Sequence, residues 1–216
     1  MESELIKNTI FFVKKQLQNA EGGHDWFHIE RVYKNSLLIA KQEKCHLQTV
    51  QLAALLHDIA DSKFFDGDET IGPKLAKSFL LSQNVNPEVV ANVLLIIENI
   101  SFKGGNFNQK HHSIELDIVQ DADRLDAIGA VGIARTFNYG GFKNRLLYDP
   151  NCAPNLAMTK EEYKNSEAPT INHFYEKLLL LKDKMNTHTA RNIAEKRHQF
   201  MLVFLEQFYD EWNGNL

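Results

Sequence analysis

Two histidines, His24 and His28, stand one helical turn apart in GGHDWFHIERV (22–32), and the aliphatic run of LAALLHDIADSKF (52–64) ends in the adjacent pair His57-Asp58. A carboxylate at the end of an apolar helix is costly to bury unless it is paired or bound to a metal, so this dipeptide needs a partner. The segment DIVQDADRLDAIG (117–129) offers one: Asp123 lies between Ala122 and Leu125, on a helix whose other apolar positions are Ile118, Val119 and Ile128. Two neutral imidazoles and two carboxylates make a nitrogen and oxygen donor set suited to Mn²⁺, Fe²⁺, Co²⁺, Ni²⁺ or Zn²⁺, with Mg²⁺ less favoured by imidazole. Four protein ligands in an octahedral shell leave two positions for water or substrate, and open positions are what catalysis requires.

The elements that must place these residues read as helices. Apolar residues recur with helical period at Ile6, Ile10, Val13 and Leu17, at Ile29, Val32 or Tyr33, Leu37 and Ala40, and at Ile71, Leu75 and Phe79. Asn86-Pro87-Glu88 supplies an N-cap, a proline at the first helical position and an acid in the first turn, opening a helix through Val90, Val93, Leu94 and Ile97. Phe174, Leu178, Leu181 and Met185 form one later apolar face, and Ala190, Ala194, Met201, Leu205, Phe208 and Trp212 another. Breaks fall at Gly22-Gly23, at 66–73, at 103–109 and at 139–155, the last long enough to serve as a flap. The expectation is an all-α bundle of about eight or more helices, in one domain spanning 1–216.

Composition narrows the function. With 216 residues, 44% of them hydrophobic, the chain can bury a sizeable core. A formal charge of −4 argues against a nucleic-acid polymer as partner and leaves small anions open. Two cysteines without a CxxC spacing fit a reducing compartment, and no apolar run approaches a membrane span, so a cytoplasmic protein with no membrane partner is expected.

The ordered set His28, His57-Asp58 and Asp123 resembles the H…HD…D signature of the HD-domain metal-dependent phosphohydrolases, an all-α superfamily. The words GHDWFHIERV, LAALLHDIAD, VQDADRLDAIGAVGIARTF, LYDP and HFYEKLLLLKDKMNT are similar to its YpgQ/YedJ-like nucleotide pyrophosphohydrolase branch. That resemblance runs over nearly the whole chain. It implies an HD-domain helical bundle with His28 rather than His24 as the first ligand, His57 and Asp58 next, and Asp123 rather than Asp121 or Asp126 last. It further implies one divalent ion per chain, Mn²⁺ before Mg²⁺, Co²⁺, Ni²⁺, Fe²⁺ or Zn²⁺. The histidines His111-His112 lack the further partner near 95–102 that dinuclear members use.

A divalent cation lowers the pKa of bound water and neutralises charge on a phosphoryl oxygen. The activity implied is hydrolysis of a nucleoside triphosphate to the monophosphate and pyrophosphate by metal-bound hydroxide. Rival readings are a nucleoside monophosphatase, a cyclic-nucleotide phosphodiesterase and a nucleotide sensor without turnover. Asp61, one turn after Asp58, matches an acid that in several HD hydrolases orients or deprotonates the attacking water. Lys63 joins it as a candidate catalytic residue. Arg124 and Lys177 are candidates for phosphate oxygens, and Asp66 for a sugar hydroxyl.

Overall fold

A computed structural model describes residues 3–18, 25–60, 68, 70–100, 111–159, 162 and 166–215. Among these residues the regular structure is helical throughout, as the periodicity predicts. The chain falls into two compact units, 1–123 and 124–216. No helix among the described residues is long and apolar enough to cross a membrane.

The first unit holds α1 (Glu4–Gln16), α2 (Trp26–Ala40), α3 (Leu47–Leu56), α4 (Ile71–Ser82), α5 (Pro87–Asn99) and most of α6 (Ile114–Asp126). α3 is its centre, packed by α1, α2 and α5, and its residues Leu52 to Leu56 are all fully buried. Side chains begin several of these helices. Ser3 accepts from the Ile6 amide, Asp25 from His28, His46 from Thr49 and Asn86 from Glu88, each bond satisfying one of the amides that a helix start leaves without an intrahelical partner. α4 starts at Ile71, inside the 66–73 break expected from sequence. Pro73 fits there because its missing N–H falls in the first turn, where no bond is lost. The inward stripe of α4 is Gly72, Ala76 and Leu80, one residue on from Ile71, Leu75 and Phe79, which are half-buried. Phe79 instead stacks on Phe12 of α1, with centroids 4.2 Å apart and rings inclined by 10°.

The second unit carries the end of α6, then α7 (Gly129–Phe142), α8 (Asn172–Glu176), a 3-10 helix (Leu178–Lys184) and α9 (His188–Asn213). α9 packs on α7 and on the 3-10 helix. α7 continues through Gly140-Gly141, where sequence places a break. A Cβ on Gly140 would overlap the side chain of Thr170, so this glycine serves close packing rather than chain reversal. The helix ends two residues later, with Asn144 at φ 54° and the Arg145 amide bonded back to the Gly140 carbonyl, the left-handed stop that asparagine tolerates. The stretch read as a flap is tied down near its middle, where the carbonyls of Leu146 and Leu147 accept from the amides of Thr170 and Ile171 at 2.8 and 3.0 Å. The face Phe174, Leu178, Leu181 and Met185 is buried as expected, yet it is not one α-helix: Lys177, at φ −143°, separates α8 from the 3-10 helix. The stripe on α9 is buried from Ala190 to Leu205, but Trp212 is 48% exposed and meets Tyr148 edge-on at 5.1 Å.

Gly132, on the first turn of α7, packs against the main chain of Ala127, and a Cβ there would overlap that residue's carbonyl. Backbone cannot swing aside as a side chain can. Gly132→Ala is therefore expected to cost about 2 kcal/mol by overpacking and to lower the melting midpoint by roughly 4–8 °C, measured by thermal denaturation of the purified chain.

His173 in α8 is a half-buried imidazole whose pKa is lowered to about 3 by desolvation, with the charges of Lys177 and Arg145 adding to the effect. The unfolded chain takes up this proton near the ordinary histidine value and the folded chain resists doing so, so stability is complete above about 6.5 and falls as pH drops from there toward 3. Between pH 6.5 and 5 the loss is about 2 kcal/mol. His173→Gln is expected to flatten the acid limb of the stability profile by that amount, read from urea denaturation at several pH values.

Candidate metal centre

α2 presents His28 in its first turn, while α3 ends at His57, its C-cap, with Asp58 following directly. The α2–α3 packing brings the two imidazoles to a centroid separation of 5.3 Å, inclined by 66°. One ligand atom each from His28, His57 and Asp58 lies within 4.8 Å of the others. Asp123, on α6, joins them: its Oδ1 is 3.5 Å from His28 Nε2 and 4.0 Å from His57 Nε2, and Asp58 Oδ2 is 3.9 Å from His28 Nε2. At metal bonds of about 2.0–2.2 Å, two atoms on one ion sit roughly 3–4.4 Å apart, and these separations fall inside that span.

The protonation pattern also suits a metal. His57 Nδ1 lies 2.9 Å from the Ala54 carbonyl. A carbonyl only accepts, so Nδ1 carries the proton and Nε2 the lone pair. Burial lowers the His57 pKa; the nearby Asp123 opposes this and His28 adds to it, and the ring stays in its neutral, ligating form. His57 Nε2 is buried and has no hydrogen-bond partner among the described residues. An orphaned buried acceptor of this kind costs about 1–3 kcal/mol, a penalty that a cation bound at Nε2 removes. The donor set thus fits a divalent ion. The site is also directional: the side chains of His28 and His57 are 3% and 4% exposed, those of Asp58 and Asp123 21% and 38%. Solvent reaches the carboxylates while the rings are sealed behind them.

The other residues singled out from sequence divide into two groups. His24, Asp61, Lys63 and Asp66 lie outside the described residues. Arg124 and Lys177 belong to the second unit, where the Arg124 guanidinium donates to the Lys184 carbonyl and Lys177 occupies the break between α8 and the 3-10 helix. Asp68, two residues beyond Asp66, is exposed and its Oδ1 accepts from both the hydroxyl and the amide of Thr70, at 2.6 and 2.8 Å, which hold its carboxyl below the usual range.

Several features at the end of α3 and around α6 escape a sequence reading. The Ala54 carbonyl orients His57, and the signal for it is the C-cap position, where helix carbonyls lack amide partners. Of the acids near Asp123, Asp121 is fully buried, and Asp126 pairs with Arg135 Nη1 at 2.6 Å. Arg197 donates to the Leu125 carbonyl, its stem laid over Gly129, which adopts φ 77° and where a Cβ would press on it.

Comparison with known proteins agrees with this geometry. The HD domain family matches residues 26–128, a span containing all four converging side chains. The chain is 41% identical to the Bacillus subtilis protein YpgQ over 94% of its own length and 91% of that protein. Among solved structures it superposes on an HD-superfamily hydrolase from Bacillus thuringiensis with a TM-score of 0.78 at 46% identity, covering 97% of each chain. It superposes on YpgQ in complex with ADP with a TM-score of 0.74 at 35% identity, covering 96% of this chain and 95% of that one. Helical fold, converging imidazoles and carboxylates, and relatives matched along almost their full length lead to one conclusion: the chain belongs to the HD-domain family of divalent-metal-dependent phosphohydrolases.

Proposed function

We propose that the whole chain, 1–216, is a mononuclear nucleotide pyrophosphohydrolase that converts a nucleoside or deoxynucleoside triphosphate to the monophosphate and pyrophosphate. In this reading His28, His57, Asp58 and Asp123 hold one cation, Mn²⁺ in preference to Mg²⁺, Co²⁺, Ni²⁺, Fe²⁺ or Zn²⁺. The observation that carries it is the convergence of two sealed imidazoles, one with an Nε2 that has no hydrogen-bond partner among the described residues, on two solvent-reached carboxylates. The ADP bound by YpgQ supports a nucleotide as the ligand class.

When bound, the cation supplies Lewis acidity to water and to a phosphoryl oxygen. His57 contributes a neutral lone pair because Ala54 occupies its other nitrogen. Asp58 and Asp123 contribute negative charge on the side open to solvent, so substrate approaches from there. Asp61 takes the proton of the attacking water as its oxygen bonds to the α-phosphorus. The bond from that phosphorus to the bridging oxygen breaks, and pyrophosphate leaves. Lys63, Arg124 and Lys177 are assigned to phosphate oxygens and Asp66 to a sugar hydroxyl.

The test is turnover of a nucleotide panel by metal-stripped protein reloaded with each divalent ion, with products identified. Pyrophosphate and a monophosphate are expected. Orthophosphate alone makes the protein a monophosphatase, a ring-opened monophosphate makes it a phosphodiesterase, and tight nucleotide binding without turnover under every metal makes it a sensor. Mn²⁺ at a hundred times its Kd is expected to stabilise the fold by about 2.7 kcal/mol, raising the melting midpoint by roughly 5–11 °C, and a chelator reverses the shift.

A further inference from the structure

We infer that Asp25 is a positioning residue for His28, acting through the cap of α2; this rests on the metal reading above. Asp25 has extended backbone, φ −85° and ψ 176°, and its Oδ1 accepts from the His28 amide at 2.9 Å. His28 is the third residue of α2. The amide fixed by the cap therefore belongs to the residue that carries the ligating ring, not to a neighbour. The main-chain bond that opens this turn, from the Ile29 amide to the Asp25 carbonyl, is 3.3 Å long, so the side-chain bond is the shorter of the two that define it.

The residues on either side of His28 are held by other means. The Trp26 ring lies under Lys14 Nζ of α1, 4.6 Å from its centroid, and Ile29 and Val32 are fully buried. His28 sits between these anchors, and its backbone orientation is set by the cap. A metal ligand has to be held within about 0.5 Å of its productive position, a tolerance that fraying of one helical turn exceeds. Loss of an orienting partner behind a ligand commonly lowers metal affinity by about 10–100-fold.

Asp25 could act through its hydrogen bond or through its charge, and Asn separates the two, since its side chain keeps the acceptor and drops the charge. The experiment is calorimetric titration of Mn²⁺ into the metal-free full-length chain, with Co²⁺ visible absorption as a second readout. The variants are Asp25→Ala, Asp25→Asn and Asn86→Ala, the last removing a cap of the same kind, 2.8 Å to the Glu88 amide, from α5, which carries none of the four converging residues. Asp25→Ala is expected to weaken Mn²⁺ binding by about 10–100-fold and to alter the Co²⁺ bands, while Asp25→Asn and Asn86→Ala keep wild-type affinity and bands. Should Asp25→Ala fail to fold, Asp25→Gly, the mildest loss of a cap side chain, replaces it. Wild-type affinity in Asp25→Ala overturns the inference. So does an equal loss in Asp25→Asn, which assigns the effect to charge, or in Asn86→Ala, which assigns it to general stability. If wild type and His57→Ala bind Mn²⁺ alike, the metal reading itself fails, and that outcome is distinct from the other three.

Discussion

Replacing His57 with alanine is expected to lower kcat/KM by roughly a thousandfold or more, the several kcal/mol of transition-state stabilisation that a metal centre supplies. The same loss is expected for Asp58→Ala. His57 is the sharper case because the structure separates its two nitrogens: Nδ1 is committed to the Ala54 carbonyl, and Nε2 is buried without a partner among the described residues. Among the described residues no group bonds to that second nitrogen, and leaving it unsatisfied costs about 1–3 kcal/mol. His57→Leu fills much of the volume and removes the orphaned Nε2 but leaves the Ala54 carbonyl without its Nδ1 donor; these opposing terms, each about 1–3 kcal/mol, should leave the variant melting within about 1 kcal/mol of wild type when both are metal-free. Added Mn²⁺ should then raise the wild-type midpoint and leave the variant unmoved. Full activity in both His57→Ala and Asp58→Ala contradicts the centre. A large stability loss in metal-free His57→Leu contradicts the account of Nε2.

What could be foreseen of this centre followed from local chemistry. An aliphatic run that ends in His-Asp has to answer for a buried polar pair, and the structure places His57 at the end of a helix whose last five residues are fully buried. Asn86-Pro87 likewise announces α5, because a cap side chain and a residue with no amide hydrogen both satisfy a helix start. The misreadings came from residues with two uses. Pro73 and Gly140 look like breakers, yet Pro73 sits in a first turn and Gly140 where Thr170 leaves no room for a Cβ. Periodicity put Phe174, Leu178, Leu181 and Met185 on one apolar face. Their burial is right, but the break at Lys177 and the tighter winding after it are decided by packing that spacing alone does not reveal. The distances among His28, His57 and Asp123 are long-range facts of the same kind. Resemblance ranked Asp123 above Asp121 and Asp126; in the structure Asp123 lies beside the two imidazoles while Asp126 pairs with Arg135, and that difference is a basis on which the ranking can be tested.

That basis is testable at Asp126. Its side chain is 2% exposed and accepts from Arg135 Nη1 at 2.6 Å, and the same guanidinium reaches its main-chain carbonyl at 3.3 Å. Arg197 lies close enough for the Asp126 charge to oppose the lowering that burial imposes on its pKa. Removing one member of such a buried pair leaves cationic groups facing a space shaped for a carboxylate, and costs of about 3–5 kcal/mol are typical. Arg135 is partly exposed, which places Asp126→Ala at the lower end, about 3 kcal/mol, or a melting midpoint lowered by roughly 6–12 °C. The double variant Asp126→Leu with Arg135→Met removes both charges, and the pair is expected to recover much of the loss, since an apolar substitute of similar volume avoids the desolvation that each ion carries. Below its melting transition, Asp126→Ala should still bind Mn²⁺ as wild type does, because Asp123 and not Asp126 faces the histidines. Thermal denaturation and metal titration of the three proteins separate the alternatives: an unchanged midpoint with lost Mn²⁺ binding makes Asp126 a ligand, whereas a lowered midpoint with binding retained makes it the anchor at the end of α6.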